Sequence, residues 1–253
     1  MPTTRSKIPR ILFIIFELPM SKLAVLDDLL KRYYQLNYHK QPELQHRLQD
    51  VQLWQKQRMQ HTHAQQFAEK QNVLMSEYFL NRLYGGPDFD ALAEQIARLT
   101  RYAHKAEKLI PDNAVKTGTH AIELAIFAVQ LDEQVAQQLL EDYHPTEALS
   151  DEIMRVTYLK LDQGNDRLKQ LDMLDQLGAH LDKYMRSFIV QTAFKMCKGT
   201  AEKYRFDVMY DFMQEGFQAM KPLKSAEKFV RDFTAMERSI IERVHAGDSN
   251  PFR

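Results

Sequence analysis

Apolar side chains recur every three or four residues along most of this chain, with polar side chains between them. That spacing places the apolar groups on one face of an α-helix. The clearest stripe follows the capping residue Ser225 and consists of Phe229, Phe233, Met236, Ile240 and Val244. The sequence contains no hairpin signal between alternating apolar strands. We therefore predict an all-α fold, a compact multi-helix bundle of about eight or nine helices in which successive helices are near-antiparallel neighbours.

The first residues form a stretch that does not fit this pattern. A basic start is followed by six apolar residues, Ile11 to Phe16, and then at once by Glu17 and Pro19. The run is far shorter than the ~20 apolar residues that span a bilayer. We expect residues 1–19 to be a disordered leader or a start-site artefact, with a weak membrane-surface anchor or signal as the alternative. No other segment is a candidate for an integral membrane helix.

The helical pattern then continues to the C-terminal region without a long linker. Residues 20–246 are therefore predicted to form a single all-helical domain. Pro145 ends a helical run and marks the best position for a subdomain boundary. Residues 247–253 carry no apolar stripe, and we expect them to form a flexible tail.

The segment YFLNRLYGGPDF, residues 78–89, carries the end of one predicted helix. Phe79 and Leu83 lie four residues apart and continue an apolar stripe. Gly85 can adopt the left-handed conformation that ends a helix, and Pro87 prevents its continuation. We therefore expect a helix that faces the core and stops at a glycine.

Composition and motifs argue against several classes of function. The chain has 34 Lys plus Arg and 34 Asp plus Glu, so it lacks the basic excess typical of proteins that bind nucleic acid. Cys197 is the only cysteine, which excludes an internal disulfide and is consistent with a cytoplasmic location. No nucleophile elbow or phosphate-binding glycine loop is present. Glu141 and His144 have the Glu-x-x-His spacing of a carboxylate-bridged metal site, but they lie at a predicted helix end beside Pro145 and not in the middle of the bundle. We predict no catalytic residue, no metal site and no cofactor, and enzymatic activity is left open but not favoured.

Four residues are candidates for a ligand pocket: Trp54, Arg58, His63 and Glu123. Trp54 and Arg58 share a helix face, and Arg58 could bind a carboxylate through two parallel hydrogen bonds. The alternative is structural, with cation–π packing and an ion pair that fixes the register of the helices. Glu123 lies between apolar residues and needs a partner if it is buried. We expect Arg58 to be that partner.

The C-terminal half is rich in methionine. Eight of the twelve methionines lie between Met154 and Met236, interleaved with phenylalanines. Flexible methionine side chains can adapt to an apolar ligand or a partner helix, or they can fill an ordinary core. Gly216, in the middle of one stripe, indicates a close approach of two helices.

Residues 78–89 resemble the FFLEELY motif family, a group of uncharacterised, mostly proteobacterial proteins. The positions that follow the family pattern are Tyr78, Phe79, Leu80, Leu83, Tyr84 and Gly85. Asn81 and Arg82 replace the two glutamates of the motif, so a role that needs both carboxylates, such as metal binding, is not carried over. Further similarities occur at Trp54, Arg58, Thr62, residues 121–124 and residues 212–229, and the resemblance covers about 44–244. It implies a helical bacterial protein of unknown function and no particular reaction.

Two functions remain. The first is a non-enzymatic cytoplasmic protein that acts by binding a protein partner or by self-association. The alternative is a helical pocket protein, which could be an enzyme, that binds an apolar or carboxylate-bearing small molecule. Trp54, Arg58, His63 and Glu123 would line the polar end of that pocket, and C-terminal methionines and phenylalanines its apolar end. A closed cavity of about 300 Å³ or more reached by Arg58 favours the pocket, whereas a filled core with an exposed apolar patch favours the partner.

Overall fold

The computed structural model describes residues 23–85, 89–101 and 112–253, and this part of the chain is helical with no β-strand. The helices are, in chain order, α1 (Ala24–Tyr34), α2 (Pro42–Thr62), α3 (Ala64–Ala68), α4 (Val73–Tyr78), α5 (Phe89–Arg101), α6 (Asp112–Asp142), α7 (Asp151–Leu161), α8 (Gly164–Met185), α9 (Phe188–Met196), α10 (Lys198–Lys203), α11 (Asp207–Met220) and α12 (Ala226–His245). A 3₁₀ turn, Asn37–His39, precedes α2, and a π-helical turn, Phe79–Leu83, continues α4.

The predicted all-α fold is confirmed. The predicted number of eight or nine helices is too low, because short helices such as α3 and α9 divide runs that the apolar pattern showed as continuous. The predicted leader, residues 1–19, lies outside the described residues, and so does Pro87 of the predicted helix stop.

Four long helices, α2, α6, α8 and α12, form the centre of the molecule, with α8 packed along both α6 and α12. Gly178 lets α8 lie close to α12, because a Cβ atom at this position would come within 2.9 Å of Val230. A Cβ atom at Gly216 would lie 3.0 Å from the Tyr78 hydroxyl. The close helix approach predicted at Gly216 is therefore confirmed, between α11 and α4.

Helix α12 begins and packs largely as predicted. The Ser225 hydroxyl accepts a hydrogen bond from the Lys228 amide at 3.1 Å and so caps the helix. Four members of the predicted stripe are buried: Phe229, Phe233, Ile240 and Val244. Met236 is 42% exposed and does not belong to the buried face.

The main hydrophobic core continues across Pro145, the predicted subdomain boundary. Leu139 of α6 and Met154 of α7 are fully buried in one cluster, together with Val51 of α2 and Ile240 of α12. Helices on both sides of position 145 thus share one apolar interior. The extent of the domain, residues 20–246, stays a prediction.

The end of the chain packs onto this core. Phe252 is 4% exposed, and its ring centroid lies 5.0 Å from that of Trp54 in an edge-to-face arrangement. Arg243 donates a hydrogen bond to the carbonyl of Arg253 at 2.8 Å. The expectation of a flexible tail over residues 247–253 is therefore wrong at Phe252. The segment has no apolar stripe, but this one aromatic ring is enough to anchor it to the core.

Candidate functional site

A cavity of about 210 Å³ lies among α2, α6, α7, α8 and α12. The π-helical turn after α4 and the ring of Phe252 also border it. Its volume is below the ~300 Å³ at which small-molecule sites typically begin, but Arg58 reaches it as the pocket hypothesis required. The space is nevertheless many times larger than a single water needs.

The π-helical turn brings Phe79, Leu83 and Tyr84 to the cavity wall. The Tyr84 amide donates to the Phe79 carbonyl at 2.9 Å, five residues back, which is the hydrogen bond that defines a π-helical turn. Gly85 follows with φ +53°, so the predicted glycine stop is confirmed. The sequence pattern showed that Phe79 and Leu83 face inwards, but it gave no signal for the π turn or for a space beside it.

One end of the cavity is apolar. Its α6 wall is formed by Ala121, Leu124, Ala125 and Ala128. These positions share one helix face, and the three alanines leave room that larger side chains would fill. Leucines of α8 and the side chains of Phe233 and Ile240 on α12 form the other apolar sides.

The methionines of the C-terminal half contribute little to this wall. Among the described residues that border the cavity, the methionine is Met59 of α2. Met196 and Met213 are 79% and 41% exposed, and Met154 is buried elsewhere in the core. The expectation that C-terminal methionines line a pocket is wrong for these residues, whereas the phenylalanine part of it fits Phe233.

The opposite end carries a buried ion pair between α2 and α12. Arg58 donates to both carboxylate oxygens of Glu237, at 2.5 and 2.8 Å, and the two side chains are 7% and 12% exposed. His63 Nε2 donates to the same carboxylate at 2.6 Å. Burial alone would raise the pKa of Glu237, but the charge of Arg58 and the hydrogen bonds from His63 and Arg58 lower it to about 2. Glu237 is therefore an ionised partner of Arg58.

Arg58 has few donors left for a ligand. Besides its two bonds to Glu237, it donates from Nε and Nη2 to the side-chain oxygen of Gln55, at 3.2 and 2.9 Å. Burial acts to lower the pKa of Arg58, but the charge of Glu237 outweighs this and raises it. The guanidinium is thus permanently charged and engaged on both of its edges within the protein.

A second buried ion pair joins α8 to α6. Arg167 Nη1 donates to Asp132 at 2.9 Å, and the Asp132 side chain is 1% exposed. The Tyr84 hydroxyl donates to the other oxygen of Asp132 at 2.7 Å, and burial, followed by the charge of Asp132, raises the pKa of Tyr84 well above its ordinary value. Nε and Nη2 of Arg167 are buried and have no hydrogen-bond partner among the described residues.

Arg167 differs from Arg58 because one edge of its guanidinium has no hydrogen-bond partner among the described residues. Nε and Nη2 lie on one edge of a guanidinium, and that edge matches the two oxygens of a carboxylate. Arg167 borders the cavity, and so does Gln163, whose side-chain oxygen is likewise buried without a partner among the described residues. Three buried polar atoms at one wall therefore lack the hydrogen bonds that buried polar groups normally make.

Tyr158 lies between the two ion pairs. Its hydroxyl accepts a hydrogen bond from Gln55 Nε2 at 2.6 Å, a bond that leaves the hydroxyl hydrogen unused. The guanidinium carbon of Arg167 lies 5.7 Å from the centroid of its ring. Burial, more than the neighbouring charges, raises the pKa of Tyr158 to about 12, so its hydroxyl remains protonated. Tyr158 also borders the cavity.

The four candidate residues have different positions in the structure. Arg58 borders the cavity, and His63 is one hydrogen bond away from it through Glu237. Trp54 is buried and donates from Nε1 to Asp151 at 3.2 Å, away from the cavity wall.

Glu123 does not pair with Arg58. It lies 3.6 Å from Arg32 and is 46% exposed, whereas Arg58 pairs with Glu237. Residues adjacent in sequence point about 100° apart on a helix, so the apolar neighbours of Glu123 did not indicate where its own side chain faces. The residues that this prediction missed are Glu237, Asp132 and Arg167.

These groups form a binding wall rather than a recognisable catalytic arrangement. The carboxylates of Glu237 and Asp132 are each held by an arginine, and no group of three or more His, Cys, Asp or Glu side chains is placed to hold a metal ion in residues 23–85, 89–101 or 112–253. Over the same residues, no helix is both long and apolar enough to cross a membrane. Arg167 and Tyr158 border a largely apolar space, and Nε and Nη2 of Arg167 are buried without a hydrogen-bond partner among the described residues.

The chain has no significant match among curated proteins or among solved structures. One family model, described as Domain of unknown function (DUF8198), matches residues 35–251. This match does not test the resemblance to the FFLEELY motif. It covers most of the chain, including all the residues that border the cavity apart from Phe252. The chain therefore belongs to the DUF8198 family, a domain of unknown function.

Proposed function

We propose that this protein binds a small molecule with a short apolar body and one carboxylate in the cavity. The observation that carries the proposal is the partnerless Nε and Nη2 edge of Arg167 beside the cavity. A buried donor without a partner costs about 1–3 kcal/mol, and more if it is charged. A ligand carboxylate would satisfy both nitrogens at once, while its apolar body would occupy the space beside the three α6 alanines.

Arg167 replaces Arg58 as the proposed carboxylate donor. Both edges of the Arg58 guanidinium are engaged by Glu237 and Gln55. Arg167 uses only Nη1, for Asp132 at 2.9 Å and for a longer bond of 3.4 Å to Gln170. The hydroxyl of Tyr158 supplies a further donor close to Arg167.

The volume limits the size of the ligand. A cavity of about 210 Å³ corresponds to roughly seven waters at ~30 Å³ each. This favours a short aliphatic or small aromatic acid over a long-chain fatty acid. The cavity is smaller than the ~300 Å³ expected of a small-molecule pocket, so it is the partnerless edge of Arg167 that places the small-molecule hypothesis ahead of the protein-partner hypothesis. Non-enzymatic action and a cytoplasmic location stay predictions.

Calorimetric titration of the full chain with hexanoate tests the proposal. Hexanamide and hexanol are the matched neutral probes, and dodecanoate is the long one. We expect saturable binding of one hexanoate, with hexanamide and hexanol weaker by roughly tenfold or more, because only the acid offers two equivalent charged acceptors to the guanidinium edge. Dodecanoate should not bind at this site, since its chain exceeds the space.

Two variants locate the binding. Ala128→Leu adds three carbon atoms to the cavity wall and should weaken hexanoate binding, while Gln130→Leu places a leucine on the exposed face of α6 and should leave binding unchanged. Arg167→Lys keeps a cation for Asp132 but removes the planar edge, so it should remove the preference for hexanoate over hexanamide. Absence of saturable binding, or equal hexanoate affinity in Ala128→Leu and the wild type, would refute the proposal.

A further inference from the structure

Helix α9 carries three apolar side chains that are far more exposed to solvent than apolar side chains usually are. Phe188, Ile189 and Met196 are 81%, 78% and 79% exposed. We call these three residues the α9 patch. Positions 188, 189 and 196 fall within about 100° on a helical wheel, so the three side chains share one face. A contiguous exposed apolar face of this kind marks an interaction surface more often than an accident of packing.

The helix is fixed to the protein by its opposite face. Phe194 stacks on Tyr210 of α11 with ring centroids 4.4 Å apart and lies 4.8 Å from Phe217 of the same helix. This inward contact holds α9 in one orientation. The α9 patch therefore faces outwards from a helix that is packed against the protein. The helix has one apolar side that is packed, at Phe194, and one that is exposed, at the α9 patch.

The segment around the patch carries an excess of positive charge. Residues 182–207 contain six cations, Lys183, Arg186, Lys195, Lys198, Lys203 and Arg205, against three acidic residues, Asp182, Glu202 and Asp207, which gives +3. Arg186 pairs with Asp182 at 2.7 Å. The whole chain has a net charge of zero, so the rest of the chain carries −3. Lys195 and Lys198 lie on either side of the last patch residue and are exposed. The segment thus combines apolar side chains with a local excess of cations.

We propose that the α9 patch and its surrounding cations dock the protein on the surface of an anionic lipid bilayer. Side chains that are four-fifths exposed project from the protein and would need matching pockets in a protein partner, whereas a bilayer interface accepts them without one. Apolar residues on one face with lysines beside them are typical of helices that lie in the interface, and each nearby cation adds attraction to anionic lipid. Such attachment requires no spanning helix.

Co-sedimentation of the full chain with vesicles tests this. One preparation is phosphatidylcholine alone, and the other is phosphatidylcholine with about one third phosphatidylserine, a composition with a negative surface potential. We expect binding to the mixed vesicles, weaker by roughly tenfold or more on the neutral ones, and a loss of affinity as salt screens the charges. Equal binding to both preparations would overturn the electrostatic part of the proposal.

The native cysteine provides a local readout. Cys197 is exposed, directly follows α9 and is the only cysteine, so a polarity-sensitive fluorophore can be attached there without mutagenesis. Its emission should shift to shorter wavelength when mixed vesicles are added. An unchanged emission while the protein sediments with the vesicles would show that another surface makes the contact, and would overturn the assignment to α9.

The Phe188→Gln/Ile189→Gln double variant should reduce binding to mixed vesicles by roughly tenfold or more, because it removes two apolar side chains from the interface. Leu53→Gln is the matched control: Leu53 is 56% exposed on α2, and its replacement should change nothing. Thermal unfolding of each variant confirms that it folds. If the double variant binds as well as the wild type, the proposal fails. It fails too if the patch instead supports concentration-dependent self-association without vesicle binding.

Discussion

Replacing Glu237 by glutamine tests the electrostatic core of the site. Glutamine keeps the size and hydrogen-bonding atoms of the side chain but removes the charge that faces Arg58. The Arg58 side chain is 7% exposed, so it cannot replace its lost partner with bulk water. His63 also loses a charged acceptor, at 2.6 Å in the wild type. We therefore expect Glu237→Gln to fold with a large loss of stability.

Two independent estimates give the size of that loss. Removing one partner of a buried ion pair typically costs about 3–5 kcal/mol. Lowering the pKa of Glu237 from 4.5 to about 2 corresponds to about 3 kcal/mol of stabilisation of the folded state, at ~1.4 kcal/mol per pKa unit. We expect Glu237→Gln to lower the free energy of unfolding at pH 7 by about 3 kcal/mol.

The pH dependence supplies a sharper test than the value at pH 7. Because the folded-state pKa of Glu237 is depressed, its contribution is fully present above the unfolded-state pKa of 4.5 and is lost as the pH falls through about 2. In the variant this contribution does not exist at any pH. The difference between wild type and variant should therefore shrink, by about 2 kcal/mol between pH 7 and pH 3.

Urea unfolding followed by far-ultraviolet circular dichroism measures both quantities. Glu152→Gln is the matched control, because Glu152 forms an exposed pair with Arg155 and its replacement should not measurably change stability. A Glu237→Gln variant that loses less than about 1 kcal/mol would contradict the assignment of a buried ion pair. A loss of the expected size that stays constant with pH would place the cause in packing and not in charge.

Two further sets of variants test the turn beside the cavity and the end of the chain. Gly85→Ala should destabilise the protein by about 1–2 kcal/mol, because φ is +53° and the new Cβ would lie 2.9 Å from Gln52. Gly118 lies on α6, where a Cβ atom would meet nothing within 4 Å. Gly118→Ala should therefore stabilise the protein by about 0.5–1 kcal/mol. Urea unfolding of the two glycine variants measures both changes in the free energy of unfolding. Phe252→Ala should cost about 3 kcal/mol and shift the fluorescence of Trp54, the only tryptophan, to longer wavelength. Unchanged emission would contradict the packed C-terminus.

The fold was predictable because helix formation leaves a local signature. The three-and-four spacing around Phe233 requires only neighbours within two turns, and it identified the buried face of α12. The junctions were less predictable. The end of α8 at Met185 and the start of α9 at Phe188 are marked by no proline or glycine, so the local sequence pattern gave no sign of this break. Hence the helical class was predicted and the number of helices was underestimated.

The site was predictable only in part, because its partners come from distant segments. Arg58 was identified from its spacing to Trp54, but Glu237 lies 179 residues further along the chain. A usable signal did exist. Glu237 is four residues after Phe233 and three before Ile240, so it is a carboxylate within the buried stripe of α12. Glu123 was instead chosen from its immediate neighbours, which do not share its helix face.

The cavity and the partnerless edge of Arg167 raise one question: does the polar end only stabilise the fold, or does it bind a ligand? If the space has only a structural role, reducing it with Ala128→Leu should stabilise the protein by about 1–2 kcal/mol and alter nothing else. If the space holds a ligand, the same variant should gain that stability while binding hexanoate more weakly. A variant that loses stability as well would show that the wall cannot accept the added side chain, and binding would then be judged from the Arg167→Lys comparison of hexanoate with hexanamide.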